Sequence, residues 1–211
     1  MTKKQKWLLR IGIAVVLVGV LIGLAVYSVR HGDYAFPRAV SDDQREQRLS
    51  LVTTAQSWLG TEEGSLAHTQ LLDIYNAHEP LAQGYKMTMD DNWCAAFVST
   101  TAIQSGLTDI IPTECGCQRQ IDLWQELGRW EEADDYVPLP GDIIYYSSKG
   151  PLTGDNTAWS DHVGIVVGTW RGWIKVIEGN YADMVAYRYI PVDAYNIRGF
   201  AIPDYEKQPA E

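Results

Sequence analysis

The chain reads as an α+β domain, helices first and an antiparallel sheet second, preceded by one membrane-spanning helix. Three observations carry this. Ile11 to Val29 is a run of 19 residues without a charge. Between Ser41 and Leu127 apolar residues recur at the helical spacing of about 3.6. After Pro138 the spacing changes to two, the period of a strand. Helical segments gathered ahead of strand segments, rather than alternating with them, separate an α+β domain from an α/β one.

Residues 1–10 form a basic head with Lys3, Lys4, Lys6 and Arg10, and residues 11–29 follow as the apolar run. At ~1.5 Å per residue that run matches a hydrocarbon core of ~30 Å. A cleaved signal peptide has a shorter apolar region and a small-residue cleavage site, and Ala25-Val26-Tyr27 is a poor one. The run is therefore expected to be an uncleaved signal anchor at the cell membrane, single-pass, with a cytoplasmic N-terminus and the remainder extracytoplasmic. Residues 1–30 hold five Lys/Arg and no Asp/Glu, which leaves 12 basic against 27 acidic residues, a net charge of −15, for the rest. Such a surface excludes nucleic acid as a partner and favours solubility.

Residues 30–44 read as a stalk, and 45–203 as one core-bearing domain ahead of a polar tail at 204–211. Ser41 with Gln44 resembles a capping box and opens a helix to about Leu59, with Leu49, Val52, Ala55 and Leu59 inward. A second helix is expected over Ser65 to His78, with Leu71, Ile74, Tyr75 and His78 on one side and Glu79-Pro80 at its end. A third starts at Cys94 and stops at Gly106, with Cys94, Phe97, Val98, Thr101, Ala102 and Ser105 on one face. A fourth covers Cys117 to Leu127, with Ile121, Trp124 and Leu127 inward and Gly128 as the stop. Strands are expected at Asp142–Ser147, His162–Thr169, Trp173–Gly179, Val185–Ile190 and Ile197–Ile202.

Cys94 lies where an irregular stretch becomes a helix. The free N–H groups and the dipole of a first helical turn favour a thiolate there, while a place in the core is the other reading of a cysteine on an apolar face. Three cysteines, Cys94, Cys115 and Cys117, leave at least one unpaired. Cys115 and Cys117 are too close to bridge, and Cys117 shares the inward face of its helix. There is no CxxC pair or HExxH, so no zinc site is expected. A nucleophilic cysteine needs a base. His31 falls in the stalk, His68 and His78 read as surface or packing residues, and His162 remains. On its strand, His162, Gly164, Val166 and Gly168 share a face with room beside the imidazole. A three-residue loop Trp170-Arg171-Gly172 would pair residue i with about 342 − i, setting Gly164 opposite Glu178 and His162 opposite Asn180 on that same face. A loop one residue shorter or longer would turn both partners away.

The blocks Asn92-Trp93-Cys94-Ala95-Ala96-Phe97-Val98-Ser99, Pro140-Gly141-Asp142-Ile143-Ile144, Asp161-His162-Val163-Gly164-Ile165-Val166 and Ile177-Glu178-Gly179-Asn180 resemble the CHAP family of cysteine, histidine-dependent amidohydrolase/peptidases over residues 45–203. The resemblance implies a papain-like (NlpC-like) cysteine-hydrolase fold. It implies cleavage of amide bonds in peptidoglycan, by an N-acetylmuramoyl-L-alanine amidase or a stem or cross-bridge endopeptidase. By matching positions it makes Cys94 the nucleophile, His162 the base, Glu178 the orienting third member and Asn180 a nearby polar partner. The family's choice between Glu and Asn as third residue stays open, since both are present. Trp93 and Trp159 are expected to contact substrate, Trp159 from the polar loop Gly154-Asp155-Asn156-Thr157-Ala158-Trp159-Ser160. Some relatives bind calcium ahead of the cysteine. Here Asp90 and Asp91 follow Tyr85, Lys86, Met87, Thr88 and Met89, a poor oxygen cage, and no calcium, other metal or cofactor is expected. The sequence shows no wall-binding module and names no regulatory protein partner. The competing reading is a catalytically silent wall-binding or scaffold module on the same fold.

Overall fold

The computed structural model describes residues 2–133, 135–151 and 155–206. The chain divides into two compact units, residues 1–33 and 34–211. The first is a single helix, α1 (Lys3–His31), so the basic head is helical along with the apolar run. A capping box between Thr2 and Gln5 starts it. It is long and apolar enough to cross a membrane, as a signal anchor or a signal peptide would be.

In the second unit the helices are α2 (Asp42–Ser57), α3 (Leu66–Ala77), α4 (Cys94–Gln104) and α5 (Cys117–Glu126), with a short 3-10 turn at Ala82–Gly84. The strands are β1 (Trp130–Glu131), β2 (Ile143–Tyr146), β3 (His162–Trp170), β4 (Trp173–Glu178), β5 (Ala186–Pro191) and β6 (Ile197–Ala201). They form one sheet in the order β1-β6-β2-β3-β4-β5, every neighbour antiparallel. The α+β class stands as expected. Among the described residues there are six strands, of which the two-residue β1 alone is not expected from the sequence. Helices cover one face, where Leu51, Leu71, Phe97 and Trp124 meet Ile143, Tyr145, Val163 and Ile165. The other face carries Ile144, Val166, Ile174 and Val176 under Tyr136, Val192 and Ala194. Beyond residue 206 the expected polar tail lies outside the described residues, as does Gly154 of the Trp159 loop.

Several inward faces differ from the sequence expectation. On α2 the buried residues are Arg48, Leu51, Val52 and Ala55, while Leu49 and Leu59 are exposed. The stripe is rotated because a charged residue occupies a core position. Arg48 reaches Asp142 at 2.7 Å and the Pro140 carbonyl at 2.9 Å, and Asp142 also accepts from the Tyr136 hydroxyl at 2.6 Å. A hydrophobic pattern cannot assign an arginine to the interior unless its partner is known. The same contact fixes Gly141, whose absent Cβ would lie 3.2 Å from the Arg48 Cα. Ser41 accepts from the Gln44 N–H at 3.2 Å, but the Gln44 side chain reaches Glu206 at 2.8 Å instead of closing the capping box. Leu127, expected inward, caps α5 and is 57 % exposed. The expected stalk is docked from Tyr34 onward. Ala35 bridges to Thr169, the Tyr34 ring packs near Trp170 and Tyr189, and Arg38 bonds the Val137 carbonyl at 2.6 Å.

The β3–β4 hairpin reaches the expected register by another route. Trp170 pairs with Trp173, so the loop is the two-residue Arg171-Gly172, with both φ positive as a type I′ turn requires. That shortening alone would turn Glu178 to the wrong face. A bulge between Val166 and Gly168 shifts the pairing back, and Ile165 lies opposite Ile177. The two departures cancel, and the polar end of β4 faces the histidine.

Candidate functional site

Cys94 is the first residue of α4, and eight of the residues after it are buried. No side chain caps this helix start; Trp93 is the N-cap, and its carbonyl accepts from the Phe97 N–H at 2.8 Å. The loop ahead is tied by Asp91, which accepts from the Thr88 N–H at 2.7 Å, the Thr88 hydroxyl at 2.8 Å and the Tyr85 hydroxyl at 3.0 Å. The Thr88 N–H and hydroxyl hold the Asp91 carboxyl below its usual range. The end of β4 passes directly against the first turn of α4. A Cβ on Gly179 would stand 2.4 Å from the Phe97 Cβ and 2.9 Å from the Trp93 ring. Only glycine permits that approach, which seats the residue after β4 against the first turn of α4.

His162 opens β3, opposite Tyr146 of β2. Its Nε2 lies 2.9 Å from Glu178 Oε2, and Glu178 is fully buried. Gly164 supplies the space: a Cβ there would be 2.6 Å from the Glu178 Cγ. The imidazole stacks on Tyr146 at 5.9 Å and faces Tyr181 at 6.5 Å. From the next strand, β5, the Nε of Arg188 lies 2.9 Å from each Glu178 carboxylate oxygen and donates to Oε2, the oxygen that also meets His162.

The thiol and the imidazole bias each other. The Cys94 Sγ is 3.6 Å from the Cys117 Sγ, at the first turn of α5. Hydrogen bonding from Cys117, the His162 imidazolium and the Ala95 N–H outweigh burial and bring the Cys94 thiol down to about 5. Burial would lower His162, but the Cys94 thiolate and Glu178 prevail and raise it to about 9. Cys117 is pushed well above its ordinary value, first by its hydrogen bond to Cys94 and then by burial. The arrangement holds a thiolate and an imidazolium side by side, the chemistry of a cysteine nucleophile with its base.

The residues singled out in the sequence fall out unequally. Cys94, His162 and Glu178 come together. Asn180, in the left-handed region at φ 55°, turns aside and donates to the Asn92 side chain at 3.4 Å. Trp93 is a correction: it is wholly buried, its Nε1 donates to Glu63 at 3.1 Å and its ring lies 4.5 Å from the His68 ring, so it has no surface to offer a substrate. His68 is a core residue. Trp159 is 70 % exposed and adjoins Ser160, whose hydroxyl bonds the Tyr146 carbonyl at 2.8 Å. Two neighbours of the site are not assigned to it by the sequence. Cys117 read as a core residue, although both cysteines start helices. Arg188 sits in the alternation Tyr187-Arg188-Tyr189, a signal legible only once the register against β4 is known.

Residues 84–180 match the family model of the CHAP domain. The chain therefore carries a CHAP domain, of a family that generally comprises peptidoglycan amidohydrolases and peptidases. No curated protein matches the chain. Among solved structures it is similar to an NlpC/P60 family protein from Bacillus cereus ATCC 10987, at 16 % identity and a TM-score of 0.42, over 81 % of this chain and 41 % of that one. It is also similar to Ly7917, at 15 % identity and a TM-score of 0.40, over 74 % of this chain and 62 % of that one. The chain thus spans less than two thirds of either structure.

Proposed function

We propose that this CHAP-bearing chain is a membrane-anchored, extracytoplasmic cysteine hydrolase that cleaves amide bonds of peptidoglycan, as an N-acetylmuramoyl-L-alanine amidase or a stem or cross-bridge endopeptidase. The observation that carries the reading is the convergence of Cys94 at a helix start with an imidazole held by a buried carboxylate 2.9 Å away. With Nε2 engaged by Glu178, Nδ1 of His162 is the nitrogen left to take the Cys94 proton. The thiolate attacks a carbonyl of the stem peptide or of its link to the glycan. The oxyanion is received by the Cys94 N–H, which has no partner within its own helix. The Asn92 amide, whose oxygen is held by Asn180, offers the second donor. His162 gives its proton to the leaving amine, then takes one from water, which releases the acyl group as a carboxylic acid and restores the thiolate–imidazolium pair. Glu178 fixes the tautomer and stabilises the imidazolium, and Trp159 offers an exposed face to substrate. The apolar helix α1 keeps the enzyme at the wall, with the basic residues of its start on the cytoplasmic side.

The test is a digest. The full chain in detergent, and Cys94→Ala beside it, are incubated with purified peptidoglycan, and the soluble fragments are identified by mass spectrometry. Fragments from the wild type alone are expected, and their new termini name the bond. No fragments from a folded wild type whose Cys94 resists alkylation would replace this reading with that of a silent wall-binding module.

A further inference from the structure

Four neighbouring strands contribute one side chain each to a continuous row on the sheet. Tyr146 of β2 lies directly opposite His162 of β3. Glu178 of β4 stands opposite Ala186 of β5, which places Arg188 diagonally across from it on the same face. Glu178 thus has His162 on one side and Arg188 on the other, each at 2.9 Å. The arginine is clamped. Its guanidinium lies over the Tyr146 ring at 4.7 Å and over the Tyr181 ring at 4.3 Å, and Tyr146 in turn stacks on His162. Two aromatic faces and one carboxylate leave the planar fork a single orientation.

A fully buried carboxylate without a fixed cationic partner would lose its direction. His162 alone cannot hold it, because the imidazole must lose and regain charge in every turnover while Glu178 keeps aim. A permanent cation from the neighbouring strand, sharing the Oε2 that meets His162, removes that conflict. We propose that Arg188 is a positioning residue for the reaction: clamped between Tyr146 and Tyr181, it keeps the Glu178 side chain aimed at His162 Nε2 through the whole cycle. This rests on the cysteine-hydrolase reading above and adds a member that reaches the chemistry only through Glu178.

The groups that face this cluster are His162 from β3, Tyr146 from β2, Tyr181 from the loop after β4 and, beyond the imidazole, Cys94 from α4 and Cys117 from α5. Removing a cation raises the pKa of every neighbour that it had favoured in the more negative form. The sign is therefore fixed. In Arg188→Gln, both the pH at which Cys94 becomes a thiolate and the pH at which His162 loses its proton move upward, by about one unit.

The experiment follows the alkylation of Cys94 against pH in the full chain, with Cys94 distinguished from Cys115 and Cys117 by peptide mapping, in wild type, Arg188→Gln and Arg188→Lys. Thermal melting confirms folding, and turnover is read on a soluble muropeptide. The expected result is upward-shifted limbs in Arg188→Gln, restored limbs in Arg188→Lys, and kcat reduced on the order of tenfold in Arg188→Lys with KM unchanged. Unmoved limbs in a folded Arg188→Gln, with wild-type Cys94 alkylating below pH 7, would overturn the role of Arg188 alone. A wild-type Cys94 that does not react below pH 7 would overturn the hydrolase reading instead. Should Arg188→Gln fail to fold, Arg188→Lys still decides: a wild-type kcat there removes the need for the clamped fork.

Discussion

The first turns of α4 and α5 are built alike and behave in opposite ways. Each begins on a buried cysteine, neither has a capping side chain, and their sulfurs lie 3.6 Å apart. Cys94 is nevertheless brought down to about 5, while Cys117 is driven well above its ordinary value. The free N–H groups and the dipole are common to both helix starts, so they cannot be what separates the two thiols. The neighbours separate them. One of two touching sulfurs must keep a proton to donate, and His162 decides which. The imidazolium lies beside Cys94, whereas Cys117 faces the Cys94 thiolate and the charge of Asp161. A helix start makes a thiolate possible; a cation beside it decides which of the two cysteines carries the charge.

The largest effect that can break this comparison comes from replacing each of the two cysteines in turn by alanine. Cys94→Ala is expected to lower peptidoglycan turnover by ~10⁴-fold or more, and Cys117→Ala by less than about tenfold at pH 7. Both variants should melt near the wild type. Comparable losses in the two, read on the same digest, would mean that both thiols take part and that the asymmetry is not functional. His162→Ala comes next. With the cation gone, Cys94 returns toward an ordinary thiol, and its alkylation at pH 6 should slow on the order of 10²-fold. Unchanged alkylation would return the credit to the helix start itself.

The pH profile sharpens the same point. In the proposed mechanism the active form is the thiolate–imidazolium pair. A thiol brought down to about 5 and an imidazole raised to about 9 give turnover that rises as pH passes 5 and falls as it passes 9. These limbs belong to the pair rather than to either residue alone. A single limb near the ordinary histidine value, in a profile of kcat/KM against pH, would contradict the ion pair.

Much of the site was legible because each part carries chemistry at a position that a period fixes. Cys94 follows an aperiodic stretch and starts an apolar helix. His162 shares a strand face with Gly164, where the structure shows no room for a side chain. The pairing of Glu178 with that face is also readable, though the sequence predicts a loop one residue too long and a bulge at Val167 makes up the difference. Bulges leave little trace in sequence because they change pairing rather than composition. The contacts that escaped are those in which a polar residue sits inside. Arg48 holds Asp142 in the core, and Arg188 holds Glu178 under the site. Their partners are 94 and 10 residues away, and no local pattern joins them. Trp93 misled for the converse reason: standing beside the nucleophile in sequence, it points into the interior in space.

The smallest effect tests how much of the asymmetry Cys117 itself supplies. With Cys94 lowered and Cys117 raised, the Cys117 thiol is the donor across the 3.6 Å between the sulfurs. A sulfur donor is weak and this one is buried, so its loss removes stabilisation of the charged sulfur without adding a charge. The sign follows: Cys94 should need a higher pH to ionise in Cys117→Ala, and the acid limb of turnover should rise, by about half a unit to one unit. The alkaline limb should stay nearer its place, since Glu178 still faces His162. Cys117→Ser keeps a hydroxyl donor on a shorter reach and should fall between wild type and alanine. If the acid limb instead moves down in Cys117→Ala, Cys117 competes with His162 for the thiolate proton rather than assisting, and the two helix starts would be rivals.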